Sequence, residues 1–102
     1  MIIIFERTGG FAGISQRAVI DSSDLSPEEQ QALEALLERS GFFDLPPRVT
    51  SGEEGVDRFQ YLVTVEHGDR KHTVALDEVA VPETLQPLMR KLSLLARRFR
   101  SP

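Results

Sequence analysis

Residue types that catalyse reactions or bind metals are scarce in this sequence. Its 102 residues contain no cysteine and two histidines, His67 and His72. These histidines and a nearby carboxylate could form a metal site, but ordinary positions on the surface and on a sheet edge are the favoured interpretation. There is no His-Glu-x-x-His motif, phosphate-binding loop or nucleophile elbow. We therefore predict a protein that is not an enzyme, has no cofactor and binds no metal ion in its free form.

A glycine-rich segment near the start of the chain is the most unusual local feature. Phe11 and Ala12 stand among three glycines, Gly9, Gly10 and Gly13. Glycine adopts positive φ angles at little cost, so this segment is typical of a chain reversal between two strands. A large apolar side chain at the tip of such a hairpin either folds back over the end of the sheet or anchors the pocket of a partner. The residues alone leave both alternatives open.

Charge and hydropathy narrow the class of protein. The net charge is −4, and acidic residues greatly outnumber basic ones between Asp21 and Asp57. The basic residues near the C-terminus are interpreted as complements to the negative end of a last helix. The longest apolar run, residues 1–5, is too short for a transmembrane helix or a signal peptide. We expect a single domain over residues 1–102, a cytoplasmic monomer with no nucleic-acid or membrane partner.

Hydrophobic periodicity predicts four strands and two helices. Strands are predicted over residues 2–7 and 14–21, over the alternating segment 58–66, and after the turn at Gly68-Asp69. The first helix is predicted to begin with Ser26 as its N-cap and to end at Gly41. The last helix is predicted to have Thr84 as its N-cap, which leaves Pro87 in the first turn, where no backbone donor is needed.

The strand pattern also predicts a register and a topology. A two-residue turn at Gly68-Asp69 pairs the apolar rows of the flanking strands. The expected opposite pairs are Val65 with His72, Val63 with Val74, and Tyr61 with Leu76. The predicted fold is α+β, in the order β-β-α-β-β-α, with a four-stranded antiparallel sheet of order 2-1-3-4 and both helices on one face. The first helix is expected to return the chain to the hairpin end of the sheet, so that the acidic loop 44–57 and residues 77–81 lie there too.

Four segments together resemble a known family. They are residues 6–14 (ERTGGFAGI), 41–46 (GFFDLP), 57–61 (DRFQY) and 80–88 (AVPETLQPL). In this order they resemble the emfourin family, small bacterial proteins that inhibit protealysin-like metalloproteases of the thermolysin family. The resemblance covers nearly the whole chain. It implies a cytoplasmic inhibitor of a zinc endopeptidase made by the same bacterium, without a cofactor or a catalytic residue.

The implied inhibition requires an apolar anchor and an anionic oxygen close together. A catalytic zinc keeps one coordination position open, which a carboxylate can occupy, and thermolysin-like enzymes accept a bulky apolar side chain beside it. The candidate protease-binding residues are Gly9, Gly10, Phe11, Ala12, Gly13, Ile14 and Asp57, with Glu53, Glu54 and Asp77 as secondary candidates for the partner's zinc.

Within this set Phe11 or Ile14 would be the anchor. Asp57 is the favoured ligand because it directly precedes a strand, although it could instead only cap a turn. A non-inhibitory interaction module or small subunit is the alternative function.

Overall fold

A five-stranded sheet with two helices packed on one face makes up the described part of the chain. The computed structural model describes residues 1–9, 14–50 and 59–99. The strands are β1 (Ile2–Gly9), β2 (Ile14–Asp21), β3 (Arg48–Val49), β4 (Phe59–His67) and β5 (Arg70–Asp77), and the helices are α1 (Pro27–Ser40) and α2 (Gln86–Arg98). The strand order is β2-β1-β4-β5-β3. The α+β class and the relative order of the four long strands are as predicted.

The helix boundaries follow from their capping residues. The backbone N–H of Glu29 donates to Oγ of Ser26 at 3.2 Å, and Gly41 ends α1 with φ +66°, as predicted. Helix α2 begins one residue later than expected, with Leu85 rather than Thr84 at its N-cap. A 3₁₀ turn over Glu83–Leu85 directly precedes α2. Pro87 still lies in the first turn of the helix.

The predicted register between the two strands of the second hairpin is confirmed. Its three pairs are Val65 with His72, Val63 with Val74, and Tyr61 with Leu76. Gly68 has φ +64°, and no non-glycine residue among those described has a positive φ. That combination fits a type II′ turn, in which glycine takes the first central position.

The sheet has a fifth strand that the sequence pattern did not predict, so it is mixed rather than purely antiparallel. Strand β3 pairs in parallel with β5, with Arg48 opposite Ala75 and Val49 opposite Leu76. The cause lies in α1, which does not return the chain to the hairpin end. Its second half lies beside the Gly68-Asp69 turn, where Glu34 Oε1 is 3.9 Å from Nε2 of His67. The chain therefore leaves α1 at the end of the sheet that contains the Gly68-Asp69 turn. To reach the opposite end it must run in the same direction as β5, and for this reason β3 is parallel to β5.

One core holds the two layers together. The row of sheet residues that faces the helices is buried and packs against the apolar sides of α1 and α2; it comprises Ile3, Phe5, Ala18, Ile20, Val63, Val65, Val74 and Leu76. The opposite face carries no helix among the described elements, and Ile2, Val19 and Leu62 are each more than one third exposed there. Strand β1 is apolar on both faces, as predicted, but only one of these faces is fully buried.

Candidate functional site

Strand pairing brings four segments of the chain to one end of the sheet. Gly9, the last residue of β1, is opposite both Ile14 of β2 and Phe59 of β4. Gln60 is in turn opposite Asp77, the last residue of β5. We refer to this end, defined by Gly9, Ile14, Phe59 and Asp77, as the tip end, and to the end with the Gly68-Asp69 turn as the turn end.

Glycine is required where β1 reaches the tip end. Gly9 has φ +98°, a conformation in which a Cβ atom clashes with the following carbonyl group. Gly9 therefore belongs to the geometry of the hairpin. The candidates Gly10, Phe11, Ala12 and Gly13 lie outside the described residues, and Ile14 is described by its backbone pairing with Gly9.

Two contacts hold Phe59, the first residue of β4, and a third contact holds the arginine that makes one of them. The backbone N–H of Phe59 donates to Oε1 of Glu78 at 3.1 Å. The guanidinium of Arg7 lies 4.4 Å from the centroid of the Phe59 ring, and its Nη2 donates to Oε1 of Gln16 at 3.2 Å. Phe59 is thus tied directly to β1 and to the segment after β5, and through Arg7 to β2, so its own position is fixed.

Asp57 stands two residues before this fixed point and lies outside the described residues, as do Glu53 and Glu54. The described residues on either side of their segment both lie toward the tip end. Val49 is opposite Leu76, one residue before the end of β5, and Phe59 is opposite Gly9. The segment itself lies outside the described residues, so its position at the hairpin end of the sheet stays a prediction.

The first part of the predicted acidic loop lies elsewhere. Asp44 lines a cavity of about 380 Å³ at the turn end with Glu38, His67 and Arg70. The expectation that residues 44–57 form one loop at the tip end is therefore wrong for Asp44. The reason is again the direction of α1, because the residues that follow this helix start at the turn end and reach the tip end only through β3.

Asp77 reaches the tip end but its carboxylate already has a structural role. The side chain is 7% exposed, and its Oδ1 accepts a hydrogen bond of 3.3 Å from the backbone N–H of Val79. This is the cap of the 3₁₀ turn Glu78–Ala80. Glu78 is part of this 3₁₀ turn. By capping the turn, Asp77 supports the hydrogen bond between Glu78 and Phe59.

Both histidines have structural contacts. Nε2 of His72 lies 2.8 Å from the backbone carbonyl oxygen of Leu45, so this nitrogen carries the proton and donates. The His72 ring also packs edge-on against Phe42, which is buried. Within residues 1–9, 14–50 and 59–99, no three His, Cys, Asp or Glu side chains are grouped to hold a metal ion.

The sequence pattern did not single out Arg7 and Glu78, the residues that position Phe59. A signal for Arg7 is visible in retrospect. Ile3 and Phe5 form the core-facing row of β1, and Arg7 continues it with a charged residue. A charge at the end of a buried row needs a specific partner, which here is the ring of Phe59. No comparable sequence signal indicates Glu78, because this residue lies in a 3₁₀ turn and not in a strand with an alternating pattern.

Comparison with known proteins identifies the family. The Emfourin family model matches residues 5–93, from within β1 to within α2. The chain belongs to the emfourin family. No curated protein and no solved structure matches it. Emfourin membership suggests a role as a metalloprotease inhibitor rather than as an enzyme.

The match includes every described segment that meets at the tip end, and it also covers residues 10–13 and 51–58, which lie outside the described residues. Among the described residues no helix is long and apolar enough to cross a membrane.

Proposed function

We propose that this protein is a reversible, stoichiometric inhibitor of a thermolysin-type, protealysin-like zinc metalloprotease. The observation that carries the proposal is the emfourin match over residues 5–93. The geometry of the tip end supports it, because an inhibitor must present several groups to one narrow cleft. The ends of β1 and β5 and the beginnings of β2 and β4 all meet there.

In the proposed complex the glycine-rich tip, residues 9–14, enters the protease cleft. Phe11 is the apolar anchor, with Ile14 as the second choice, and each would fill a pocket that accepts bulky apolar side chains. Burying one such side chain contributes about 1.5–3 kcal/mol to binding. The glycines on either side let the backbone of the tip approach the walls of the cleft closely.

The carboxylate of Asp57 supplies the oxygen that takes the open position on the protease's zinc ion. An aspartate with an ordinary pKa of about 3.9 is ionised at neutral pH and needs no proton loss before it coordinates a metal. The contacts of Glu78 and Arg7 with Phe59 support this role, because a ligand two residues from a fixed strand loses less conformational entropy on binding.

The partner is proposed to be a protease of the same bacterium, met in the cytoplasm by a monomeric inhibitor. Inhibition by occupation of a cleft consumes no cofactor and forms no covalent bond. A one-to-one complex is therefore expected to release active protease on dilution.

The test is a titration of purified protein against several protealysin-like and thermolysin-like proteases, with peptide cleavage as the measurement. We expect activity to fall in proportion to added inhibitor and to reach its minimum near equimolar protein. A serine protease and a cysteine protease serve as controls and should be unaffected. Undiminished cleavage by all the metalloproteases at a large excess of protein would reject inhibition and favour a non-inhibitory interaction module.

A further inference from the structure

The basic residues of α2 divide into two groups with different surroundings. Nη1 of Arg98 donates to Oε2 of Glu29, at the N-terminus of α1, at 2.7 Å. This hydrogen bond lowers the pKa of the Glu29 carboxyl, and the nearby charge of Lys91 adds to the effect. Arg98 and Lys91 are therefore compensated within the fold.

Arg90 and Arg97 have no such compensation from a described residue. Within the described part of the chain, neither side chain forms an ion pair. They stand seven residues apart, which places both on the same side of the helix with roughly 10 Å of rise between them. Leu94 lies between them and is 58% exposed. We refer to Arg90, Leu94 and Arg97 as the basic ridge.

An apolar groove runs beside the basic ridge and leads to the tip end. Its volume is about 730 Å³, and Tyr61, Val81 and Met89 contribute apolar surface to its wall. Glu78 also lines the groove. Since Glu78 accepts the hydrogen bond from Phe59, the groove is continuous with the surface proposed to meet the protease.

Positive charge continues toward the tip end on the other side of Arg97. There a smaller cavity of about 170 Å³ is lined by Arg7, Gln16 and Ser93 as well as by Arg97. The Nε of Arg7 is buried, and no hydrogen-bond acceptor is found for it among the described residues. Three guanidinium groups, those of Arg7, Arg90 and Arg97, thus lie along one side of the molecule.

This surface is unusual for a chain with a net charge of −4. Two guanidinium groups that form no ion pair with a described residue, on either side of an exposed leucine, match a partner segment that is acidic and carries an apolar side chain. A nucleic acid or an anionic membrane is disfavoured, because the acidic remainder of the chain repels both.

We propose that the basic ridge and its groove bind an acidic segment of the target metalloprotease, outside the catalytic cleft. This inference rests on the proposed function and adds a second contact to it. The two arginines attract the protease during encounter, which raises the association rate, and Leu94 packs in the completed complex, which slows dissociation.

The experiment compares the parent with R90E/R97E by stopped-flow inhibition kinetics at low and high salt. We expect the double variant to associate about tenfold more slowly at low ionic strength, with most of this difference lost near 1 M salt because screening shortens the range of the charges. In a separate variant, Leu94→Ala, we expect several-fold faster dissociation with little change in the association rate.

The control is R39E/K71E, which changes the net charge by the same amount at exposed positions away from the ridge, and its melting temperature also reports the loss of the 3.5 Å ion pair between Lys71 and Glu66. Circular dichroism melts confirm that each variant folds, and the milder R90Q/R97Q replaces the charge reversal if that protein does not fold. Equal rates for the ridge variant and the parent at low salt overturn the inference, and so does equal slowing by the control variant. In either case the parent still inhibits, so the proposed function stands; a parent without inhibition rejects both.

Discussion

Phe59 is the described residue closest in sequence to Asp57, and at the scale of single residues its surroundings decide how the proposed zinc ligand is held. Its backbone N–H is bound by Glu78 and its ring is covered by Arg7. At the end of the neighbouring strand β1, Gly9 has a conformation that only glycine adopts at little cost. The anchor and the ligand are therefore both close in sequence to residues of fixed geometry.

Phe11→Ala tests the anchor. If Phe11 fills a pocket of the protease, the variant should weaken inhibition by about 2 kcal/mol or more, which is the size of a hot-spot loss, while its melting temperature stays close to that of the parent. Inhibition constants and thermal melts are measured on the same preparations. A large fall in melting temperature with unchanged inhibition per folded molecule would instead assign Phe11 to the core.

Asp57→Asn tests the zinc ligand, because asparagine has nearly the same shape but is a poorer ligand. We expect inhibition to weaken at least about tenfold, since even the hydrogen-bond partners of metal ligands are worth 10–100-fold in metal affinity. The matched controls are Glu53→Gln, Glu54→Gln and Asp77→Asn, each of which should have little effect. The expectation for Asp77 has a structural reason, because asparagine also caps a turn and the carboxylate is buried.

The same four amide variants separate the alternatives. Loss of inhibition in one control but not in Asp57→Asn would move the ligand to that position and leave the inhibitor proposal intact. Full activity of all four would exclude a carboxylate ligand, and a backbone carbonyl or simple blockage of the cleft would take its place.

At the scale of elements, predictions from the sequence succeeded where local chemistry decides the structure. Ser26 and Gly41 define α1 through hydrogen-bonding and φ requirements that are visible in the sequence. The register of β4 and β5 followed from Gly68 and the alternating apolar residues, because a shift by one residue would expose the buried row.

The prediction failed where only tertiary packing decides. Nothing local to α1 indicates which end of the sheet it will reach, and its 14 residues, about 21 Å, suffice to cross the strands rather than return along them. Strand β3 is two residues long and follows Pro46 and Pro47, so no alternating pattern could indicate it. The contacts of Arg7 and Glu78 with Phe59 depend on the same long-range geometry.

The contact between α1 and α2 predicts a pH dependence of stability. Because Arg98 lowers the pKa of Glu29 below its ordinary value of 4.5, the folded state favours the ionised carboxylate. The contribution to stability is therefore fully present above that ordinary value and is lost as the pH falls through the lowered pKa.

Glu29→Gln should accordingly lower the melting temperature at neutral pH, and its difference from the parent should shrink as the pH falls through the lowered pKa of Glu29, because the parent's carboxyl then becomes protonated. Thermal melts across this range provide the measurement. Glu28→Gln is the control, because Glu28 lies in the same first turn but forms no ion pair with a described residue. An equal, pH-dependent effect of both substitutions would assign the contribution to the helix N-terminus rather than to Arg98.

At the scale of the whole molecule, the length of the strands keeps the two ends of the sheet far apart, and we assign different roles to these ends. Strand β4 has nine residues, so the turn end lies about 26 Å from the tip end. The turn end contains structural contacts: the hydrogen bond between His72 and Leu45, the buried Phe42 and the Gly68-Asp69 turn. The residues proposed to contact the protease are close in sequence to the tip end or belong to α2. Stability and inhibition should therefore respond to substitutions at different ends.

Gly68→Ala tests this separation. The space around a Cβ atom at position 68 is empty, since no atom lies within 4 Å of it, so the substitution acts only through the backbone. Gly68 has φ +64°, a region that costs an L-residue about 1–2 kcal/mol, and the melting temperature should fall by roughly 4–8 °C for each kcal/mol. Because the turn end lies far from the proposed interface, inhibition per folded molecule should equal that of the parent. Gly41→Ala, which has φ +66° and equally open surroundings, is a second variant with the same expectation. Weaker inhibition by folded Gly68→Ala protein would mean that the protease also contacts the turn end, and the interface would then have to extend along the full length of the sheet.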